Sequence, residues 1–425
     1  MDVTGHALAD GSGPFRFAYQ PGAIRYGDGA VASLGDDLAT LDLERALVVT
    51  GSTVGDTAAV MDPIRQGLGD RLAGLFAETT PEKRLATAID GANAATDCDA
   101  DVLVAVGSGS SIDTAKAIAT IVGRRRSEPA DASDAALGAE FADTGTLAVP
   151  AEPLPIVTVP TTLAGADFTQ GAGLSAASEG GTGSGHDGGV VEDVVSGGLG
   201  DPALAPTQAI YDPTLVATTP RPILAGSAMN GFDKALETLY SRHATAITDA
   251  TAARSVRRFR EGLLAFGDGA KGEESGRDGV PAAVEGLLLA QYGISRADCT
   301  TMSVIHAFGQ EVSAVGDVQQ GVAHAICAPH ALAELLAAAD VRTGLLADAF
   351  GVADAADPET AIVEAVAETR DALGVTTQLR DVDGLARDDL AAIAAAVAEH
   401  RFLDNGPAGY EPTAATLEAV LDAAW

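Results

Sequence analysis

The chain has 425 residues, 60 of them acidic and 26 basic, with a formal net charge of −34 at pH 7. That length exceeds what one hydrophobic core sustains, so two domains are expected. Hydrophobic residues make up 47% of the chain in regular periods, which excludes a disordered polyanion. A surface this acidic repels phosphate backbones and anionic lipid, excluding nucleic acid and membranes as partners.

Few lysines with abundant Ala, Gly and Asp point to a halophilic cytoplasmic protein, whose self-repulsion molar salt screens within about 3 Å. Cys98, Cys299 and Cys327 are far apart and form no CxxC, so neither a disulfide framework nor a thiolate metal cage is expected. No signal peptide and no run of about 18 or more apolar residues is legible, which places the chain in the cytosol.

Residues 1–13 are polar and glycine-rich and read as a loose leader. Phe15 to Tyr26 reads as a strand, a Pro-Gly turn and a second strand. Helical spacing follows near Val31–Leu41, then a buried strand at Arg45–Thr50 and helical spacing through Leu68. Leu72–Phe76 reads as a short strand and 82–96 as a helix. Alternation of this kind predicts a parallel sheet with both faces covered.

The most informative stretch is Asp101–Ile121. Val102–Val106 is a short apolar run, sized for a buried parallel strand. It stops at Gly107-Ser108-Gly109-Ser110-Ser111, after which Ile112, Ala115, Ile118 and Ala119 share one helical face. A strand, a glycine-rich turn and a helix N-terminus make an anion site, because unpartnered N–H groups and the helix dipole favour phosphate there. The spacing is neither Walker A nor GxGxxG.

Arg124–Thr146 is polar and acidic and reads as a surface insertion. Leu154–Val159 is another apolar strand, running into Pro160-Thr161-Thr162-Leu163-Ala164-Gly165-Ala166-Asp167-Phe168-Thr169. Hydroxyls at Thr161 and Thr162 either donate to cofactor oxygens or cap the turn. Ser178–Gly200 is low-complexity, and its His186 reads as a solvated loop residue. From Pro222 onward helical periods dominate, at Ile223–Ser241, Thr248–Phe266, Ala282–Ser295, Thr301–Ser313 and Val322–Ala338, with a charged connector at Gly267–Pro281. The boundary falls at 213/214, separating a dinucleotide-binding α/β domain from an all-helical catalytic domain. A cleft between such domains is the usual place for a ligand.

Gly107 through Lys116 resembles the GGGSxxDxAK signature of the iron-containing alcohol dehydrogenase superfamily, with Ser108 at the second glycine. Only four lysines occur in the chain, and one, Lys116, occupies the lysine of the motif. The resemblance implies a Rossmann-like parallel-sheet domain followed by an all-α domain, as in dehydroquinate synthase. It also implies that Gly107, Ser108, Gly109, Ser110, Asp113 and Lys116 hold NAD or NADP, with Thr161 and Thr162 adjoining. Many relatives carry an aspartate after the second strand that binds the adenosine ribose. Gly51 stands there, which permits NADP, although a glycine at that place is also plain turn chemistry. The PTTLAGADFT form and Ala209–Thr219 resemble the maleylacetate reductase branch, and a homodimer is the superfamily habit.

Metal-dependent members hold iron or zinc through an Asp and three His. At the corresponding positions this chain has Asn230, Lys234, Met302 and, after a short insertion, Gln320. These side chains offer no set of anionic or imidazole donors for Zn²⁺ or Fe²⁺, and a charged lysine repels a dication. The expectation is a metal-free site, with a partial one rebuilt from Asp233 and His306 or His324 as the alternative. Asn230 at the aspartate position is shared with maleylacetate reductases, the metal-independent branch, which nevertheless keeps the histidines replaced here.

Hydride addition to a carbonyl or activated alkene builds negative charge on oxygen, which an ammonium can stabilise and an imidazole can protonate. Lys234 is therefore expected to polarise the substrate oxygen or anchor a carboxylate, unless it is held in a salt bridge to Asp233 or Glu237. His306 is the expected general acid, with Asn230 and His324 as substrate-orienting residues. The leading reading is a metal-independent NAD(P)H oxidoreductase acting on a small oxo or enoyl substrate, carboxylated in the maleylacetate manner. A dehydroquinate synthase-like lyase or cyclase and a non-catalytic dinucleotide-binding protein are the alternatives.

Overall fold

A computed structural model describes residues 15–19, 22–167, 169–177, 183–184, 190–191, 194–268 and 279–425. The expected leader, His186, the middle of Ser178–Gly200 and most of Gly267–Pro281 lie outside the described residues. The chain divides into two units. One comprises Gln20–Thr161 and Ala166–Thr218, and the other Met1–Tyr19, Thr162–Gly165 and Thr219–Trp425.

The first unit is α/β. In chain order its elements are β1 (Ala23–Tyr26), α1 (Leu34–Thr40), β2 (Ala46–Val49), α2 (Ser52–Gly55), α3 (Ala58–Leu68), β3 (Leu72–Phe76) and α4 (Leu85–Asp97). Then come β4 (Val102–Gly107), α5 (Gly109–Ser127), α6 (Asp134–Thr144), β5 (Ile156–Pro160) and β6 (Gly171–Ala177). The unit closes with β7 (Gly183–Ser184), β8 (Val190–Val191), β9 (Val194–Gly200), β10 (Gln208–Tyr211) and α7 (Pro213–Val216). Six strands form one sheet in the order β1-β10-β5-β4-β2-β3, every pairing parallel. β6 and β9 form a separate antiparallel pair.

Both faces of the sheet are covered, as the continuous apolar strands require. Leu47, Val49, Leu103 and Ala105 face one side with Leu85, Ala88, Ile112 and Ile118 of α4 and α5. Val48, Val102, Val104 and Val106 face the other with Leu34, Leu38, Val60 and Ile64 of α1 and α3. Strand order reverses at β2, since β3 lies on one side of it and β4 on the other. The carboxyl ends of β2 and β4 are therefore a topological switch point, where open α/β sheets bind ligands.

The second unit is helical, with α8 (Arg221–Tyr240), α9 (Ala246–Asp268), α10 (Val280–Ile294), α11 (Val304–Val315) and α12 (Gln320–Ala338), then α13 (Thr343–Phe350), α14 (Pro358–Asp371), α15 (Leu390–Ala398) and α16 (Ala414–Ala424). Fifteen of the 20 residues of α8 are buried, Asp233, Lys234 and Glu237 among them. α12 is long and apolar enough to cross a membrane by composition, against the expectation that no such run exists, but 67% of it is buried among its neighbours. That is the signature of a core helix.

Two further expectations need correcting. Of the two strands expected in Phe15–Tyr26, the second forms as β1 and the first does not. β1 pairs in parallel with β10, while Tyr19 bridges to Arg296 of the helical unit and stacks on Tyr292 at 4.7 Å between ring centroids. Aromatic partners captured the first half of the segment and a sheet edge the second. Nor is Arg124–Thr146 a surface insertion. α5 runs on to Ser127 and α6 buries Leu137 and Phe141, while the nearly buried Arg124 pairs with Glu140 at 2.5 Å. Leu137 and Phe141 lie one helical turn apart, a spacing hidden by the acidic residues between them. Phe141→Ala is expected to lower unfolding stability by about 3–5 kcal/mol in urea titrations. A loss within about 0.5 kcal/mol would mean that α6 packs on nothing.

Candidate functional site

The glycine-rich turn lies at the switch point. Gly107 closes β4 with φ +136°, and a Cβ there would stand 3.0 Å from Ser111 Oγ, so both backbone and space require glycine. Ser108 caps the 19-residue α5 from an extended conformation with no side-chain cap bond, its hydroxyl instead meeting Ser110 Oγ at 2.9 Å. The first-turn N–H groups of α5 thus keep their anion-binding capacity, with Arg124, Arg125 and Arg126 complementing the dipole at the far end. A side chain at Gly109 would meet only Ala166 Cβ at 3.5 Å, so protein packing does not demand that glycine. Thr50 Oγ1, at the end of β2, is buried without a hydrogen-bond partner, 3.8 Å from where a Cβ of Gly107 would sit. An orphaned hydroxyl beside an open helix N-terminus fits the phosphate end of a dinucleotide.

Other sequence-predicted cofactor residues are placed differently. Gly51 is extended, and a Cβ there would come within 3.1 Å of the Thr79 carbonyl oxygen, so its glycine follows from close packing. Asp113 accepts from Lys83 Nζ at 2.7 Å and from the Gly173 N–H at 3.3 Å, tying α5 to β6. Lys116 is fully buried and donates to Thr169 Oγ1 at 2.6 Å and to the carbonyls of Gly171 and Ala166 at 3.0 and 3.1 Å. Those three bonds brace the 166–171 loop and use every proton of the ammonium. Thr161 donates its backbone N–H to the Gly107 carbonyl at 3.0 Å, extending the β4–β5 ladder into the turn. Thr162 is buried in the segment that belongs to the helical unit.

The helical unit assembles a second constellation. Asn230 and Lys234 sit one turn apart on α8, His306 on α11 and His324 on α12. Lys234 Nζ donates to the Ala164 carbonyl at 2.8 Å, to Asn230 Oδ1 and to the Asn230 carbonyl at 3.3 Å, and lies 3.4 Å from His306 Nε2. Gly165 follows with φ +78°, and a Cβ there would press on Lys234 Cδ at 3.2 Å. All four sequence-predicted catalytic residues thus meet in one cluster.

Sequence reasoning named Asp233 with His306 or His324 as a partial metal site and Glu237 as a salt-bridge partner of Lys234. It missed the role both carboxylates have in holding the histidines. His306 Nδ1 is 2.5 Å from Glu237 Oε2, and Glu237 also accepts the backbone N–H of Ser303 at 2.7 Å and of His306 at 3.0 Å. His324 Nδ1 is 3.1 Å from Asp233 Oδ2 and its ring stands perpendicular to that of His306, centroids 4.4 Å apart. Their placement at i+3 and i+7 from Asn230, on the face carrying Lys234, was the available signal. Burial pushes Asp233 well above the usual carboxylate range and Glu237 up to about 8. Burial, then the Lys234 charge, holds His306 well below its ordinary value, and burial with the neighbouring His306 does the same to His324.

The donor set does not fit a divalent metal. Asn230 Oδ1 is turned onto the Lys234 ammonium, Met302 precedes α11 and Gln320 is the first residue of α12. Asp233 and His324 do pair, as the partial-site alternative required. Even so, among the described residues no group of three or more His, Cys, Asp or Glu is arranged to hold a metal ion.

Two family models cover the two parts of the chain. Iron-containing alcohol dehydrogenase matches residues 21–213, and the Fe-containing alcohol dehydrogenase C-terminal family matches 224–425. The chain belongs to the iron-containing alcohol dehydrogenase family. It is an oxidoreductase of that family by its relatives. An NAD-dependent methanol dehydrogenase of Bacillus methanolicus is 27% identical over 81% of this chain and 83% of its own. Maleylacetate reductase 2 of Cupriavidus pinatubonensis is 26% identical over 78% and 77%. A sulfoacetaldehyde reductase from Bifidobacterium kashiwanohense, solved with NAD⁺, shares the fold at TM-score 0.77 and 20% identity, covering 97% of this chain and 99% of that one.

The buried acids make stability depend on pH in a definite direction. Near pH 6.5 the histidines of the unfolded chain still bind protons while buried His306 and His324 do not, an effect opposite in sign to that of Glu237, which keeps its proton up to about 8 in the folded state only. The contribution of Glu237 to stability therefore falls as pH rises toward about 8, and comparison with a variant that cannot ionise isolates it. The pH slope of the urea midpoint between about 7 and 8 should be more negative in the wild type than in Glu237→Gln. Identical slopes would show that Glu237 ionises as it does in the unfolded chain.

Proposed function

We propose that this chain is an NAD(P)H-dependent reductase that works without a metal and acts on a small oxo or enoyl substrate carrying a carboxylate. The observation that carries this reading is the buried Lys234 ammonium, held by the Ala164 carbonyl and Asn230 in direct reach of His306. The maleylacetate reductase and methanol dehydrogenase among the relatives support small oxo compounds and alcohols as the substrate class.

Gly107, Ser108, Gly109 and Ser110, with the first-turn N–H groups of α5 and Thr50, would hold the phosphates of the dinucleotide. Bound NAD(P)H supplies a hydride. The chain's own residues must then meet the negative charge that develops on the substrate oxygen. In a dry site an ammonium meets it strongly and needs no reorganisation, because its acceptors already fix its position. Lys234 also carries the proton that the oxygen needs. The general-acid role expected for His306 moves to Lys234, because a buried imidazole beside an ammonium resists becoming a cation. His306 stands behind Lys234 as its proton partner.

Lys234→Ala is expected to lower turnover by about 10²–10⁴-fold while leaving NAD(P)H binding, followed by cofactor fluorescence, unchanged, and His306→Ala to lower it by about 10²-fold. Wild-type turnover in both variants would refute the assignment. So would stoichiometric, tightly held zinc or iron in the purified protein. The halophilic reading adds an expectation of its own. Screening a net charge of −34 should raise the melting temperature as KCl goes from about 0.1 M to about 3 M, and a flat or falling trend would remove it.

A further inference from the structure

Helix α11 carries His306 in its first turn, yet its own capping residue does not fix where it starts. Ser303, at the N-cap, makes no side-chain cap bond, and its buried hydroxyl has no hydrogen-bond partner. The start is held from outside. Glu237 takes the Ser303 N–H at 2.7 Å and the His306 N–H at 3.0 Å. The other end of the Met302–Ser303 peptide, the Met302 carbonyl, accepts from Asn405 Nδ2 at 2.8 Å, on a residue 103 positions further along the chain. One peptide plane is thus gripped at both ends.

The donors and acceptors around Asn405 agree. A carbonyl only accepts, so the amide nitrogen faces Met302, and Oδ1 is left for His243 Nε2 at 3.1 Å, which carries the hydrogen of that bond. The backbone carbonyl of Asn405 takes the Ser241 hydroxyl at 2.9 Å and the Arg242 N–H at 3.3 Å. Those two bonds tie the 3₁₀ turn Arg401–Asn405 to the end of α8 whatever side chain stands at 405. The same stretch meets α11 twice more. His400 Nε2 lies 2.9 Å from Gln310 Oε1, and the buried Phe402 ring stands nearly perpendicular to that of His306, centroids 6.4 Å apart.

We infer that Asn405 is a positioning residue: by gripping the Met302 carbonyl it sets where α11 begins, and so where the His306 imidazole stands against Lys234. This rests on the reductase reading above, in which His306 is the proton partner of Lys234. A trans peptide is planar, with its C=O and N–H pointing opposite ways, so fixing both fixes the plane. A helix continued from a fixed plane has a fixed phase, and His306 lies within its first turn. Releasing the carbonyl lets the plane turn about the single bonds on either side, and His306 turns with it. His306 Nε2 is 3.4 Å from Lys234 Nζ, so a displacement of about 1 Å removes that contact.

The test compares Asn405→Asp and Asn405→Ala in the full-length protein. Aspartate keeps the shape but presents only acceptors to the Met302 carbonyl. Both variants keep the backbone bonds to Ser241 and Arg242, so the turn stays in place. Turnover should fall about 10–10²-fold in each, with KM and NAD(P)H affinity within about twofold of the wild type. Amide hydrogen exchange, read by mass spectrometry, should rise about tenfold in 302–308 and stay unchanged in α9. The imidazole ¹⁵N signals of His306, assigned by their loss in His306→Gln, should shift in both variants. Wild-type turnover in both variants overturns the inference. So does exchange that rises as much in α9 as in 302–308, which would make Asn405 a residue of general stability. A wild type without NAD(P)H-dependent turnover removes the reductase reading, and the exchange and the His306 signals then still decide whether Asn405 sets the start of α11.

Discussion

A single ammonium inside a helix bundle organises this protein's helical unit. Lys234 lies in the middle of α8, 4% exposed, where an uncompensated charge would cost several kcal/mol. The fold meets that demand with fixed acceptors: the Ala164 carbonyl from the Thr162–Gly165 segment, Asn230 one turn back on α8, and the open edge of His306. Each acceptor carries its own requirement. Presenting Ala164 forces the chain into a left-handed turn at Gly165, and orienting His306 calls for Glu237 on its other nitrogen.

The neighbours of Lys234 differ in kind from the ligands of a metal site. A site built for a dication gathers anionic and imidazole donors around an open centre. Around Lys234 the Ala164 carbonyl and Asn230 are placed as acceptors for N–H bonds, with His306 at its side. Asn230 is suited to this where an aspartate would not be, because its amide oxygen accepts without adding a second negative charge to a cluster already holding Asp233 and Glu237.

In the α/β unit the same logic runs through Lys116. Its three donors brace the 166–171 loop, and Asp113, one turn back on the same side of α5, fastens the helix to β6 and Lys83. The motif residues nearest the turn keep their N–H groups open, whereas those deeper in α5 hold the scaffold still. One signature contains both kinds of residue, so a shared motif does not assign one role to all its members.

The periodic runs alone pointed to the parallel sheet, the helical second half and the site of the glycine turn, since burial of apolar faces is a local pattern that repeats every 2 or 3.6 residues. Lys234 and His306 were legible from their positions in recognisable segments. What only the tertiary structure decided was partnership. Glu237 and Asp233 are silent as letters, because their meaning comes from His306 and His324 on other helices, 69 and 91 residues further along the chain. The first half of Phe15–Tyr26 and the helix hidden in Arg124–Thr146 were misread for the same reason: a short segment takes whichever partner the assembled fold offers, and that offer is not written within the segment.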